Sequence, residues 1–178
     1  MADLVSPALE YALLGFQMQG PMHGYDLHRR VRDELGRMWR VGISHTYASL
    51  KRLEQAGLLV PSYQTHGNRP PRKVYHITPA GRARFLEWVS RPVPSMRDMR
   101  VEFPAKLYFM RCLALPGLDA LLAAQEEICR ARLERLQQGA ARAAVHDVDQ
   151  LVFEFRCGQI QAALDWLQVC RERWAECI

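Results

Sequence analysis

The chain has 178 residues, 49% of them hydrophobic, and carries a formal net charge of +5 at pH 7. That length suits one or two small domains, and the apolar fraction is sufficient for a buried core. Every apolar run falls short of the roughly 18 residues that a membrane span needs, and the N-terminus lacks the basic start and apolar stretch of a secretory signal. These features predict a cytoplasmic protein.

The excess positive charge is confined to one half of the chain. Residues 1–90 contain 12 Lys and Arg against seven Asp and Glu, whereas residues 91–178 contain 12 of each. Such an imbalance indicates a polyanionic partner for the N-terminal half more directly than a high isoelectric point of the whole chain does. We therefore expect residues 1–90 to bind nucleic acid.

The five cysteines argue against disulfides and structural zinc, because their number is odd and no Cys-x-x-Cys spacing occurs. They stand at positions 112, 129, 157, 170 and 177. We expect reduced thiols packed as small apolar side chains, and neither a metal nor a cofactor. The alternative is a redox switch, for which Cys177, near the end of the sequence, is the best candidate.

Two helices are predicted first, over residues 6–18 and 23–35. Gln19-Gly20-Pro21 separates them, and Gly36 ends the second. Leucines and other apolar residues recur at helical spacing in both segments, which gives each helix one buried side.

The third predicted helix is the one suited to read DNA. Ser44 is its expected N-cap and Gly57 follows its C-terminus. Leu50 and Leu53 share its inner face, because residues three apart lie on one side of a helix. The opposite face is small and polar at its start and cationic at its end: Ser44, His45, Ala48, Lys51, Arg52 and Gln55, with Tyr47 on its flank. Such a helix can enter a major groove about 12 Å wide.

A basic hairpin is predicted next, with strands over residues 58–60 and 73–78. Gly67-Asn68 supplies turn chemistry, and Pro70-Pro71 stiffens the loop. Three cations follow one another without a nearby acid: Arg69, Arg72 and Lys73. A basic hairpin directly after a helix with a basic outer face predicts a winged helix-turn-helix, whose wing contacts the phosphate backbone or the minor groove.

The wing is followed by a helix and then by a predicted domain boundary. Thr78-Pro79 is expected to cap the helix, with proline at its first position. Residues 91–95 contain two prolines and form a semi-rigid linker. The expected domains are 1–91, a winged helix-turn-helix, and 92–178, a C-terminal helical domain. The fold class is mainly α with a small β-wing.

The C-terminal half is predicted to contain three more helices, over residues 97–115, over 118–138 with Gly139 at its end, and a last one with two apolar stripes. One stripe follows alternating steps of four and three: Val148, Val152, Phe155, Gln159, Ala162, Trp166 and Val169. The other contains Ile160, Ala163, Leu164, Leu167, Cys170 and Trp174. A helix with two apolar stripes needs two partners. We expect a second copy of the chain to cover one stripe in a two-fold dimer, the alternative being a monomeric bundle that buries both.

Several segments, in this order and spacing, resemble the PadR family of transcriptional regulators. They are residues 12–16, 20–27, 33–36 with Trp39, 47–54 with Gly57-Leu58, 70–75, 78–81 and 103–109. The family pattern often has proline at the position of Ala48, which changes little. The resemblance implies an N-terminal winged helix, a C-terminal helical dimerisation region, and repression that a small molecule relieves in some members.

The expected function is a dimeric, sequence-specific repressor that binds a pseudo-palindromic operator in double-stranded DNA. The third helix would present Ser44, His45, Lys51 and Arg52 to base edges and phosphates, and the wing would present Arg69, Arg72 and Lys73. Tyr47 resembles a tyrosine of the family's helix and is expected to bond a phosphate.

The resemblance also implies release from DNA by a small aromatic, phenolic carboxylate. Such an effector needs an apolar slot and a cation. The candidate residues are Trp39, Arg100, Phe103, Lys106, Tyr108 and Arg156. The alternative for these residues is an ordinary core with salt-bridged bases.

Other classes of function fit the sequence less well. An enzyme is not expected, because no nucleophile elbow, phosphate-binding glycine loop or metal-ligand pattern occurs. A winged-helix regulator without a small-molecule effector remains an alternative, either redox-responsive or acting through protein contacts.

Overall fold

The computed structural model describes residues 6–64, 71–140 and 147–175. In chain order its elements are α1 (Ser6–Gln17), β1 (Met22–His23), α2 (Gly24–Leu35), α3 (Ile43–Gln55), β2 (Leu59–Gln64), β3 (Arg72–Ile77), α4 (Pro79–Ser90), α5 (Met96–Val101), α6 (Phe103–Cys112), α7 (Leu118–Ala140) and α8 (Asp147–Ala175). A mainly helical chain with one small sheet confirms the predicted fold class.

The chain forms two compact units. The first comprises the described residues of 1–91 together with 100–116, and the second those of 92–99 together with 117–178. The expected division at residue 91 placed residues 100–116 in the C-terminal domain, whereas the structure assigns them to the first unit.

Aromatic packing explains why α6 belongs to the first unit. Phe103 and Phe109 are fully buried. The Phe109 ring centroid lies 5.1 Å from that of Phe16 on α1 and 5.4 Å from that of Phe85 on α4, both in edge-to-face geometry. Such ring pairs contribute roughly 0.5–1.5 kcal/mol beyond their buried area, so α1, α4 and α6 share one core.

The sheet is antiparallel, in the order β1-β3-β2. The hairpin register runs from Leu59 opposite Ile77 to Gln64 opposite Arg72. The sequence did not predict β1, which pairs with β3 and so fixes the start of α2 beside the wing.

Several helix boundaries differ from the sequence predictions. One is the end of α7, which runs through Gly139 to Ala140 although Gly139 was predicted to end it. The N-cap of α3 is Gly42, in an extended conformation, so the prediction of Ser44 was wrong and this serine lies within the first turn. The helix predicted over residues 97–115 is broken between α5 and α6, because Pro104 lacks an N–H and its ring would clash with the preceding turn. The first turn of a helix tolerates proline, and Pro104 stands there in α6.

Other predicted ends agree with the structure. Thr78 caps α4 by accepting a hydrogen bond from the Gly81 N–H at 3.0 Å, with Pro79 as the first helical residue. Gly57 follows α3 with a φ of +69°, a left-handed conformation that glycine adopts most readily.

The second unit pairs α7 with α8. Leu121 and Leu122 of α7 and Leu167 of α8 are buried. The Gln125 side chain accepts a hydrogen bond from the Val93 N–H at 2.7 Å and donates to the carbonyl of the same residue at 3.1 Å. Within the described ranges, no helix is both long and apolar enough to cross a membrane.

Candidate nucleic-acid interface

The third helix has one buried and one exposed face. Thr46, Ser49, Leu50 and Leu53 are buried. The opposite side chains are all exposed: Ser44, His45, Ala48, Lys51, Arg52 and Gln55. Tyr47 on the flank is 44% exposed. The helix therefore presents its polar face to solvent with its leucines fixed in the core.

A hydrogen bond ties this helix to α2. The Thr46 hydroxyl, fully buried, lies 3.0 Å from Nδ1 of His28. A buried hydroxyl without a hydrogen-bond partner would destabilise the fold. The contact with His28 supplies that partner, so Thr46 can be buried on the inner side of α3.

The wing lies beside the C-terminal turn of α3, where Lys73 of β3 meets Glu54. Its strands are β2 and β3, and residues 65–70, which include Arg69, lie outside the described residues. Arg72 opens β3 and is exposed, while Lys73 is half-buried.

Two of the cations expected to contact DNA are already ion-paired within the chain. Arg52 Nε lies 2.6 Å from Glu10 Oε1 on α1, and its guanidinium also donates to the Ser49 hydroxyl at 2.9 Å. Lys73 Nζ lies 2.6 Å from Glu54 Oε2 at the end of α3. The hydrogen bond that Lys73 donates to the Glu54 carboxylate raises the pKa of Lys73 above its ordinary value.

Two other expected cations are more accessible. Lys51 and Arg72 are exposed, and neither forms an ion pair with any residue in the described part of the chain. Cations that are not neutralised internally are the ones that can displace counterions from a phosphate backbone.

An open cavity of about 640 Å³ lies beside Arg72 and Lys73. Its lining combines three tyrosines, a histidine and two basic residues with the start of α2: His23, Gly24, Tyr25, Asp26, Tyr47, Arg72, Lys73 and Tyr75. Hydroxyls, imidazoles and cations are groups that bond DNA phosphates and sugars. Burial raises the pKa of the Tyr75 phenol, which remains a hydrogen-bond donor at neutral pH.

Sequence reasoning assigned no contact role to His23, Tyr25 or Tyr75. The signal that could have found them is Gly24. A Cβ there would lie 2.8 Å from Cε1 of Tyr47, too close for a real side chain. Only glycine lets the tyrosine ring lie against the start of α2, which brings residues 23–25 to the exposed side of α3.

Comparisons with known proteins identify the family. The model of the transcriptional regulator PadR-like family matches residues 13–87, and the model of the virulence activator alpha C-terminal domain matches residues 99–174. The negative transcriptional regulator PadR of Bacillus subtilis is 31% identical over 129 residues, which cover 72% of this chain and 71% of that protein. The chain belongs to the PadR-like family of transcriptional regulators.

Two solved structures of Bacillus subtilis PadR are also similar to this PadR-like chain. The complex with operator DNA is 26% identical, covers 91% of this chain and 97% of that one, and has a TM-score of 0.48. The complex with p-coumaric acid is 25% identical, covers 93% and 94%, and has a TM-score of 0.42. Membership of a family of regulators confirms that the chain is not an enzyme.

The residues expected to bind an effector in this PadR-like regulator have unequal surroundings. Trp39 and Phe103 are buried, and the Trp39 indole donates to the Val101 carbonyl. Tyr108 is half-buried with its ring centroid 5.0 Å from that of Phe109. Arg100 is exposed in the first unit, and Arg156 is exposed on α8 in the second.

Lys106, the sixth effector candidate, is bonded within the core. It is 2% exposed. Its ammonium donates to the carbonyls of Trp88 at 2.7 Å and Arg91 at 2.8 Å, and lies 2.9 Å from the Glu102 carboxylate. With its three N–H donors matched by these three oxygens, the lysine closes the C-terminal end of α4.

The described cysteines are free thiols. Burial raises the pKa of Cys112 to about 11, and it also raises the pKa of Cys129 and Cys170. Oxidation proceeds through the thiolate, so a raised pKa makes these three thiols poor redox sensors. Cys177, the candidate for a redox switch, lies outside the described residues.

Proposed function

We propose that this PadR-like regulator is a dimeric, sequence-specific repressor that binds a pseudo-palindromic operator through α3 and the wing. The observation that carries the proposal is the exposed polar face of α3, with exposed Lys51 in its C-terminal half and Arg72 on the adjoining wing. The net charge of the chain, all of it within residues 1–90, supports the same assignment. Ser44 and His45, at the exposed start of the helix, are the proposed readers of base edges.

Salt dependence of binding tests the DNA assignment. We expect the wild-type chain to bind duplexes from upstream of its own gene and its neighbours more tightly than random duplexes of equal length. Affinity should fall steeply with salt, because each neutralised phosphate contributes a slope of roughly 0.9 in the logarithmic plot. Affinity that stays constant as salt rises would instead favour a winged helix that acts through protein contacts.

Arg72→Ala tests the wing. We expect weaker binding to operator and random duplexes alike, and a salt slope lower by about one, because a phosphate contact carries no sequence information. Arg130→Ala, which removes one exposed arginine from the second unit, is the matched control and should leave both quantities unchanged. Fluorescence anisotropy over a salt series measures both. An operator affinity unchanged by Arg72→Ala would remove the wing from the interface.

The proposal of a dimer is supported by the exposed stripe of α8. Its large apolar members are all exposed: Val148 69%, Val152 43%, Phe155 65%, Trp166 37% and Val169 40%. The second stripe is the buried one, with Ile160 at 1% and Leu167 at 0%. Steps of four and three suit a seam between two helices. A second copy of the chain would cover it with the same stripe.

We further propose that a small aromatic carboxylate releases the protein from DNA. Two observations support this proposal. The relative that is 31% identical in sequence is Bacillus subtilis PadR, a protein whose complex with p-coumaric acid has been solved. Within the first unit, Arg100 is exposed and could bond a carboxylate, and Tyr108 is half-buried among aromatic rings.

Calorimetry tests the effector. We expect p-coumarate or a vanillate-like acid to bind with measurable heat and to release the protein from its operator, whereas the corresponding alcohol, which lacks the carboxylate, should do neither. Arg100→Ala should weaken acid binding, and Arg97→Ala, another exposed arginine of α5, is the matched control. Absence of both heat and release with every acid would refute the effector proposal and leave the DNA proposal standing.

A further inference from the structure

Lys73 and Glu54 join the wing to α3, the proposed recognition helix. Lys73 is the second residue of β3, and Glu54 stands in the last turn of α3. Their side chains meet at 2.6 Å and are 34% and 30% exposed. The two residues are 19 positions apart in the sequence, so the pair joins β3 of the wing to α3. The relative position of these two elements determines whether the wing and α3 can contact DNA at the same time.

Further contacts hold Lys73 in the same place. Its ammonium lies 5.1 Å from the centroid of the Tyr75 ring. Its carbonyl oxygen lies 3.2 Å from Nδ1 of His23, which stands on β1. Tyr63 on β2 is its strand partner. Side chain and backbone of Lys73 therefore contact α3 and all three strands of the sheet.

The neighbouring Arg72 has different surroundings. It is exposed, and within the described residues it forms no ion pair. Successive residues of a strand point to opposite faces of the sheet, which explains why one cation reaches Glu54 and the other faces solvent.

We propose that Glu54 and Lys73 are positioning residues that fix the wing against the recognition helix, and that Lys73 is not a phosphate ligand. This inference rests on the proposed DNA-binding function. A wing held in place before binding loses less conformational freedom when it docks, so the pair strengthens binding without contacting DNA. Arg72 then supplies the phosphate contact at this end of β3.

Neutralising Glu54 distinguishes a phosphate-binding Lys73 from a positioning Lys73, because operator binding should become tighter in the first case and weaker in the second. If Lys73 bonded a phosphate, Glu54 would compete with DNA for it, and Glu54→Gln would tighten binding and steepen the salt slope. If the pair positions the wing, Glu54→Gln should weaken operator binding by roughly two- to fivefold, the range that partly exposed ion pairs support. The salt slope should then stay the same, because the number of cations at the phosphates does not change.

The matched control is Glu34→Gln. Glu34 forms an ion pair of the same length, 2.6 Å, with Arg30 on α2, and the two side chains are 30% and 29% exposed. This substitution should leave operator affinity unchanged. A change seen only with Glu54→Gln is then due to the position of that ion pair and not to the loss of one acidic charge. Thermal unfolding of each variant should show that binding is measured on folded protein.

Charge exchange provides the rescue. Lys73→Glu alone should lose operator affinity, and the double variant Glu54→Lys/Lys73→Glu should recover most of it, because the ion pair is restored with reversed polarity. Anisotropy with operator and random duplexes over a salt series measures all variants. Tighter binding by Glu54→Gln, or failure of a folded exchange variant to recover affinity, would overturn the inference. Absence of DNA binding by the wild-type chain would refute the proposed function instead.

Discussion

Lys106→Ala is expected to lower the free energy of unfolding by about 3–5 kcal/mol, the cost of removing one partner from a buried ion pair. The substitution leaves the Glu102 carboxylate, 22% exposed, without its cation. It also leaves the carbonyls of Trp88 and Arg91 without the ammonium that bonds them at the end of α4. The contact of the ammonium with the Trp88 ring, 4.7 Å from its centroid, is lost as well.

Urea unfolding followed by circular dichroism measures the change in the free energy of unfolding. The transition to compare is that of the first unit, which contains Lys106. Lys106→Met keeps a flexible, unbranched apolar side chain and removes the ammonium, with both its charge and its N–H donors, so it should account for most of the loss. Lys51→Ala, at an exposed position of α3, is the control and should change the free energy by less than about 0.5 kcal/mol. A loss of under about 1 kcal/mol for Lys106→Ala would show that the three hydrogen bonds do not stabilise the core as the geometry requires.

Lys106 also shows where sequence reasoning stops. A lysine among aromatic residues is compatible both with a ligand-binding site and with a buried hydrogen-bond network. The helical spacing of the residues does not distinguish these two roles. The oxygens that bond it come from residues up to 18 positions away. Those partners are placed by the packing of α6 onto α4, which helical spacing alone does not determine.

Local patterns did predict most of the fold. The spacing of Leu50 and Leu53 gave the buried face of α3, and Thr78-Pro79 gave the start of α4, because both signals act within one helical turn. The break before Pro104 was missed, although proline is a local signal, because the apolar spacing of the flanking segments continues across it.

The candidate interface was predictable in outline but not in its charge balance. The exposed face of α3 follows from helical geometry alone. Arg52 and Lys73 were expected to face DNA, yet their acids are Glu10 and Glu54, which lie 42 and 19 positions away. Only the three-dimensional structure brings those carboxylates to the cations. It likewise brings His23 and Tyr25 beside the wing through the short strand β1.

Phe155→Arg is expected to convert the proposed dimer into a monomer and to weaken operator binding by about 10²–10⁴-fold, the gain that linking two binding modules can give. Phe155 lies in the middle of the exposed stripe and is 65% exposed. A charge there would be buried without a partner between two copies. In a single chain it would stay in water, so the fold itself should lose little stability.

Gln161→Arg adds the same charge at another exposed position of α8, off the stripe, and should leave the dimer intact. Sedimentation gives the oligomeric state, and anisotropy compares the full operator with a single half-site. The monomeric variant should bind the half-site as the wild type does, because α3 and the wing are unchanged, and should gain nothing from a second half-site about 34–36 Å away.

A Phe155→Arg chain that remains dimeric would show that another surface joins the two copies. A monomer that binds the full operator as tightly as the wild type would separate dimerisation from DNA recognition altogether.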